Sequence, residues 1–222
     1  MKTASAAVIC ILAFLFSACV TGDEITSYVI DPDGSISFSI YRLNLTSDQA
    51  GEKAKEELAN YIQQLEEKSN DFFTKLAKAN AKEVKATILR KASPASVLIT
   101  GRFPSINDIA AYASEEDKES KTVCTAISGE RTRGILCELA RKPSKEKAQP
   151  EKAQPETLRT RADSFDEMRV SLAEGIFTKG QGYILSHDKR SALLDVETLV
   201  KMWNSQSPSI PTSLEWQIPE AK

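Results

Sequence analysis

The sequence predicts an α+β fold: a mostly antiparallel sheet built from hairpins, one long amphipathic helix packed on a face, and a disordered insertion. Three observations carry that reading. Short alternating runs flank turn residues, as Ser35-Ile36-Ser37-Phe38-Ser39-Ile40 follows Asp31-Pro32-Asp33-Gly34; alternation puts the apolar side chains on one face of a strand. A stretch near residues 47–79 instead repeats its apolar residues every three or four positions, the spacing of a helix face. Finally, Lys147-Ala148-Gln149-Pro150-Glu151 is copied at once as Lys152-Ala153-Gln154-Pro155-Glu156, a polar, Pro-spaced segment that cannot bury a core.

The chain opens with Lys2, an apolar run of 13 residues from Ala4 to Phe16 broken only by Ser5, and then Ser17-Ala18-Cys19. A spanning helix needs roughly 20 apolar residues, so this run is too short to be one. Charge, length and small residues at its end read as a secretory signal over residues 1–18. Phe16-Ser17-Ala18-Cys19 resembles the lipobox of bacterial lipoproteins, with Phe16 standing where that family usually has Leu. The resemblance covers residues 1–19 only. It implies cleavage before Cys19, diacylation of its thiol, and attachment to a membrane. Val20 in the next position, where an inner-membrane lipoprotein tends to carry Asp, favours an outer membrane facing the periplasm if the organism has one. Residues 19–27 are expected to be a lipidated polar tether.

An α+β domain is expected over residues 28–141. Tyr28 and Ile30 share a core face with Ile36, Phe38 and Ile40 across the Asp31–Gly34 turn, where Pro32 presets φ and Gly34 accepts a positive one. Asp31-x-Asp33-Gly34 also matches the start of a calcium loop, but position 42 is Arg where that loop needs Glu, so a turn is the better reading. Thr46 and Gln49 have capping-box spacing ahead of the long helix, whose stripe runs Leu58, Ile62, Leu65, Phe72 and Leu76. Tyr61 and Phe73 widen it, and Ser69-Asn70-Asp71 is a place for a kink or restart. Val84–Leu89 and Val97–Phe103 form a second hairpin, Ser105 caps a short helix through Tyr112, and Glu115–Lys121 reads as a charged loop.

Two cysteines remain beyond Cys10, which lies in the signal, and Cys19. A hairpin whose loop is Gly129-Glu130-Arg131-Thr132 pairs Ser128 with Arg133 and, four steps out, Cys124 with Cys137. Opposed Cβ atoms lie about 4.5–5.5 Å apart, close enough for a disulfide after modest adjustment. An exported protein permits that bridge. The expected insertion covers 142–161. Residues 162–222 then supply strands and a short helix, Val196–Asn204, completing the same domain, with Leu214–Ile218 as the last strand.

The chain offers little recognisable catalytic chemistry. It has one histidine, His187, and neither a hydrolase nucleophile elbow nor a phosphate-binding glycine loop. Ser186-His187-Asp188-Lys189 formally fits Ser-x-x-Lys, yet it lies between strand-like runs and lacks the companion motifs; a hairpin turn is the better reading. No catalytic residue, metal or cofactor is assigned. With 29 basic against 31 acidic residues, the net charge of −2 gives no reason to expect nucleic acid. The leading expectation is a lipid-anchored envelope protein acting as a non-catalytic binding or scaffolding module for an envelope protein, lipid or cell-wall polymer. The alternatives are an envelope hydrolase using acidic residues and a lipid-carrying module, which would need an apolar cavity open to solvent.

Overall fold

The computed structural model describes residues 20–116, 120–129, 131–141, 167–205 and 207–217. The expected signal, Cys19 and the 142–161 insertion lie outside the described residues. The architecture is α+β, with predominantly antiparallel pairing, but the strands divide between two sheets rather than one.

The first sheet is built around β1 (Val20–Ile30), β2 (Ile36–Ser47) and β4 (Ala95–Phe103), with β3 (Lys82–Arg90) at one edge. Register puts one apolar face together: Tyr28 opposes Phe38, Ile30 opposes Ile36, Ile40 opposes Ile99, and Ile36 opposes Phe103. All of these are buried. Phe38 also lies over Gly101, its cross-strand partner; a Cβ on Gly101 would meet Phe38 Cζ at 2.5 Å and the Lys82 carbonyl at 3.2 Å.

The expected tether is a correction, because Val20–Ser27 form most of β1. This half of the hairpin is held by polar pairs instead of a core face. Asn44 Nδ2 donates to Asp23 Oδ2 at 2.7 Å, and Arg42 Nε to Glu24 Oε2 at 3.1 Å. The ladder slips beside Asn44, whose φ is 53°, as a β-bulge does.

The single long helix is two. β2 runs through Ser47, so Thr46 is strand and caps nothing; α1 (Glu52–Glu67) starts at Gly51 without a side-chain cap. It ends at Lys68, in the left-handed region at φ 55°. Asn70 then restarts the chain as α2 (Asp71–Lys78), its side chain accepting from Phe73 N at 3.3 Å. The restart shifts the phase: Phe73 and Leu76 are buried, while Phe72 is half-buried under the Arg42 guanidinium, 4.5 Å from the ring centroid. Arg42 also donates to the Tyr61 hydroxyl at 2.7 Å. Burial acts to lower its pKa, but Tyr61 and Glu24 outweigh burial and raise it.

Ser105 caps α3 (Ile106–Ala113), accepting from Asp108 N. The expected loop from Glu115 is partly strand: β5 (Glu115–Glu116) pairs with β6 (Ser120–Ser128). β6 and β7 (Thr132–Arg141) pair Ser128 with Arg133 and Cys124 with Cys137, whose Cα atoms are 4.1 Å apart and whose sulfurs are bonded. With β12 (Ser209–Gln217) and β9 (Ile176–Gln181) they form the second sheet, ordered β5-β6-β7-β12-β9.

The last strand starts earlier than expected and contains Pro211. That is tolerated because pairing to β9 begins only at Ser213, so Pro211 lies where β12 has a free edge. β8 (Glu167–Leu172) pairs in parallel with β1 and carries β11 (Ser191–Leu194) and β10 (Tyr183–Leu185) on its other side. The chain passes from β8 into the second sheet at β9 and back into the first at β10, turning at Gly182 with φ 74°. α4 (Val196–Asn204), capped by Asp195, buries Leu199 and Trp203 against Ile210.

The Phe38–Gly101 contact is testable. Gly101→Ala is expected to lower stability by about 1–3 kcal/mol, the usual range for overpacking, as a lower urea midpoint with an unchanged slope. A midpoint equal to wild type would mean that the ring and strand part easily.

Candidate functional site

The inward face of the first sheet has two covers. α1 and α2 lie over β2 and its neighbours at one end, burying Leu58, Ile62, Leu65, Phe73 and Leu76. At the other end, α3 and the second sheet face Tyr28, Ile30, Ile36, Met168 and Val170 across a gap. That gap is a cavity of about 330 Å³, partly open to solvent.

Alternation determines its walls. From the second sheet, β7 contributes Ile135, Cys137 and Leu139, while β12 contributes Ile210, Thr212, Leu214 and Trp216. Leu139 pairs with Ile210, Cys137 with Thr212 and Ile135 with Leu214, so these side chains share one face. Cys124 and Thr122 extend that face on β6, placing the disulfide in the cavity wall. α3 closes a side with Ile106, Ile109 and Tyr112.

Many of these inward apolar residues are only half-buried, among them Ile106, Ile109, Ile135, Leu139, Met168 and Val170. They face inward yet remain accessible because the space before them is unfilled. Neutral polar groups on the walls include Thr122, Thr212 and the tyrosines, and the one charged group among the described lining residues is Lys75. It comes from α2 and is half-buried, with Nζ 5.5 Å from the Tyr112 ring centroid. No Asp, Glu or His lines the cavity.

The remaining sequence candidates are structural in this setting. Asp33 belongs to the β1–β2 turn. Its carboxylate accepts from Ser35 N at 3.0 Å and Ser35 Oγ at 2.6 Å and pairs with Arg102. Those Ser35 hydrogen bonds, then Arg102, hold the Asp33 pKa at about 2, below its ordinary 3.8. Asp31 accepts from Ser37 Oγ at 2.9 Å. No group of three or more His, Cys, Asp or Glu able to hold a metal occurs among the described residues.

Ser186–Lys189 is a turn between β10 and β11. Ser186 Oγ donates to Asp188 at 2.6 Å and accepts from Ser191 N at 2.9 Å. The Ser186 hydroxyl is the main cause of a lowered Asp188 pKa, and it serves the turn. No helix among the described residues is long and apolar enough to cross a membrane.

Fold and cavity together define an α+β domain whose two sheets part around an apolar chamber. No protein-family model and no curated protein matches the chain. A comparison with solved structures finds the folded domain of the Mycobacterium tuberculosis protein LppM, determined by NMR, at TM-score 0.44 and 8% identity, covering 93% of this chain and 95% of that one.

Sequence reasoning had marked the Cys124–Cys137 hairpin but not the cavity beside it. The local trace was there: small or medium residues, Thr122, Cys124, Cys137 and Thr212, at inward positions. The gap exists only because two sheets distant in sequence come to face each other.

The Asp33 turn yields a pH prediction. A folded pKa depressed below 3.8 adds stability that is complete above that value and lost as pH falls through about 2. The difference in urea midpoint between wild type and Asp33→Asn should therefore be constant above pH 4 and shrink between about 4 and 2. A difference that persists unchanged at the acid end would assign the effect to something other than this carboxylate.

Proposed function

We propose that this chain is an exported protein, lipid-anchored through Cys19 in the cell envelope, that acts as a non-catalytic binding module for an acyl chain or similar apolar group. The observation that carries the binding reading is the row of inward apolar side chains left half-exposed around the 330 Å³ cavity. Ligand pockets occupy about 300–1,000 Å³, with mostly apolar walls and a few polar groups that fix orientation. Burying about ten methylenes there would gain about 8 kcal/mol before the cost of ordering the ligand. The absence of any carboxylate from the lining gives the hydrolase reading no support at this site.

The anchoring part rests on residues 1–19 and on an oxidising compartment suited to the Cys124–Cys137 bridge. Because β1 begins at Val20, an acylated Cys19 would attach the strand itself to the bilayer. Tyr28 and Ile30, in the cavity wall, lie eight and ten residues along β1. At about 3.3 Å per residue that is ~26–33 Å from the anchor, so the chamber would stand well outside the hydrocarbon.

Two outcomes are expected. Cells fed radiolabelled palmitate should incorporate it into the protein, and Cys19→Ser should abolish the label and release the chain from the membrane fraction; unlabelled protein would remove the anchor from the proposal. Separately, the fluorescent apolar dye N-phenyl-1-naphthylamine should bind the purified domain. Val170→Trp and Ala113→Trp, each filling the chamber from a different wall, should weaken it about tenfold or more, the equivalent of losing one or two buried methylenes. Unchanged dye binding in both folded variants would place the dye elsewhere and end the cavity reading.

A further inference from the structure

We infer that the cavity ligand is an anionic amphiphile, its chain between the sheets and its carboxylate or phosphate head on the Lys75 ammonium; this rests on the cavity reading above. A chamber whose walls are otherwise apolar or neutral carries one full charge, and it is positive. With no carboxylate in the lining, an incoming anion meets no like charge there. A cationic head would face the Lys75 ammonium, and a neutral head would leave that charge without a matched group.

Lys75 is also placed where a head group has to be. α2 stands at the border between the helix-covered end of the first sheet and its open end, and it touches α3, which forms a cavity wall. The side chain is half-buried: its stem follows the apolar surface and its ammonium reaches the rim, as long cationic side chains do. The Tyr112 ring, 5.5 Å from Nζ, holds the ammonium at that rim by attraction to its face. A chain threaded past Met168 and Val170 thus leaves its wet end beside a cation held in place. The chemistry shared by fatty-acid carboxylates and lipid phosphates is what this arrangement recognises.

The test uses the full chain bearing Cys19→Ser, which keeps the protein's own acyl groups out of the assay. Bound N-phenyl-1-naphthylamine is displaced at neutral pH by dodecanoate, dodecyl phosphate, dodecanol or dodecyltrimethylammonium, each below its micelle concentration. One or both anions should bind about tenfold tighter than dodecanol, as a charge-assisted contact implies, and the cation weakest. The tighter of the two anions identifies the carboxylate or phosphate source. Lys75→Met should bring the anions to the level of dodecanol while dodecanol itself is unchanged. Lys75→Arg should keep the original order, and Lys75→Glu should invert it. If all four amphiphiles bind alike and Val170→Trp weakens all four, the cavity stands and the head-group assignment falls. If neither the dye nor any amphiphile binds the folded chain, both readings fall together.

Discussion

Tyr28, Ile30, Ile36, Phe38 and Ile40 stand in cross-strand register on one face of β1 and β2, and β4 extends that face with Val97, Ile99 and Phe103. Leaving such a surface in water would forfeit about 1.5–3 kcal/mol for each large side chain, so covering it is the constraint that organises the molecule. No single element covers all of it. The α1–α2 pair takes the end nearer the β2–α1 junction, and α3 with the second sheet takes the other. The chamber is a consequence of that division. Helices settle into the sheet with close contacts, whereas a second sheet brought in over β1 and β8 stands farther off and leaves a gap.

Much of this arrangement is encoded locally and can be read from the chain. The Asp31–Gly34 turn, the Ser105 cap and the Cys124–Cys137 register each depend on residues within about a dozen positions of one another. The break in the long helix was visible as Ser69-Asn70-Asp71, and Asn70 is the cap that restarts it. Val20–Ser27 misleads because its strand is stabilised by Asp23–Asn44 and Glu24–Arg42 pairs across the ladder. A polar sequence without apolar alternation gives no hint of them. What could not be read at all are the parallel pairing of β8 with β1, the separation into two sheets and the cavity between them. Each depends on segments more than a hundred residues apart.

Charge is distributed so that it reinforces the covers without entering the core. Arg42 is the deepest example, tied to Glu24 on β1, Tyr61 on α1 and the Phe72 ring on α2. It joins the helical cover to the sheet at the point where the helix restarts. Most other ion pairs, such as Lys55–Glu52 and Lys201–Glu197, are exposed contacts within one helix, and pairs of that kind contribute little. Lys75 differs from them in its setting, since its neighbours are the walls of the chamber.

The size of the chamber argues that it is not a packing fault. Empty apolar volume destabilises a fold by about 24 cal/mol per Å³, so 330 Å³ kept dry and vacant would cost about 8 kcal/mol. That is comparable to the whole stability of an ordinary domain, about 5–15 kcal/mol. A gap this large persists only if solvent enters it or a ligand fills it. Water finds few polar partners against Ile135, Leu139, Met168 and Val170, and an ordered water needs two to four. The disulfide fixes β6 to β7 on one wall, and the β1–β2–β4 core fixes the other, so neither wall is free to collapse onto its opposite. Two rigid apolar walls that cannot meet are stabilised by whatever apolar group can lie between them. By linkage, that group adds to the stability of the fold as it binds.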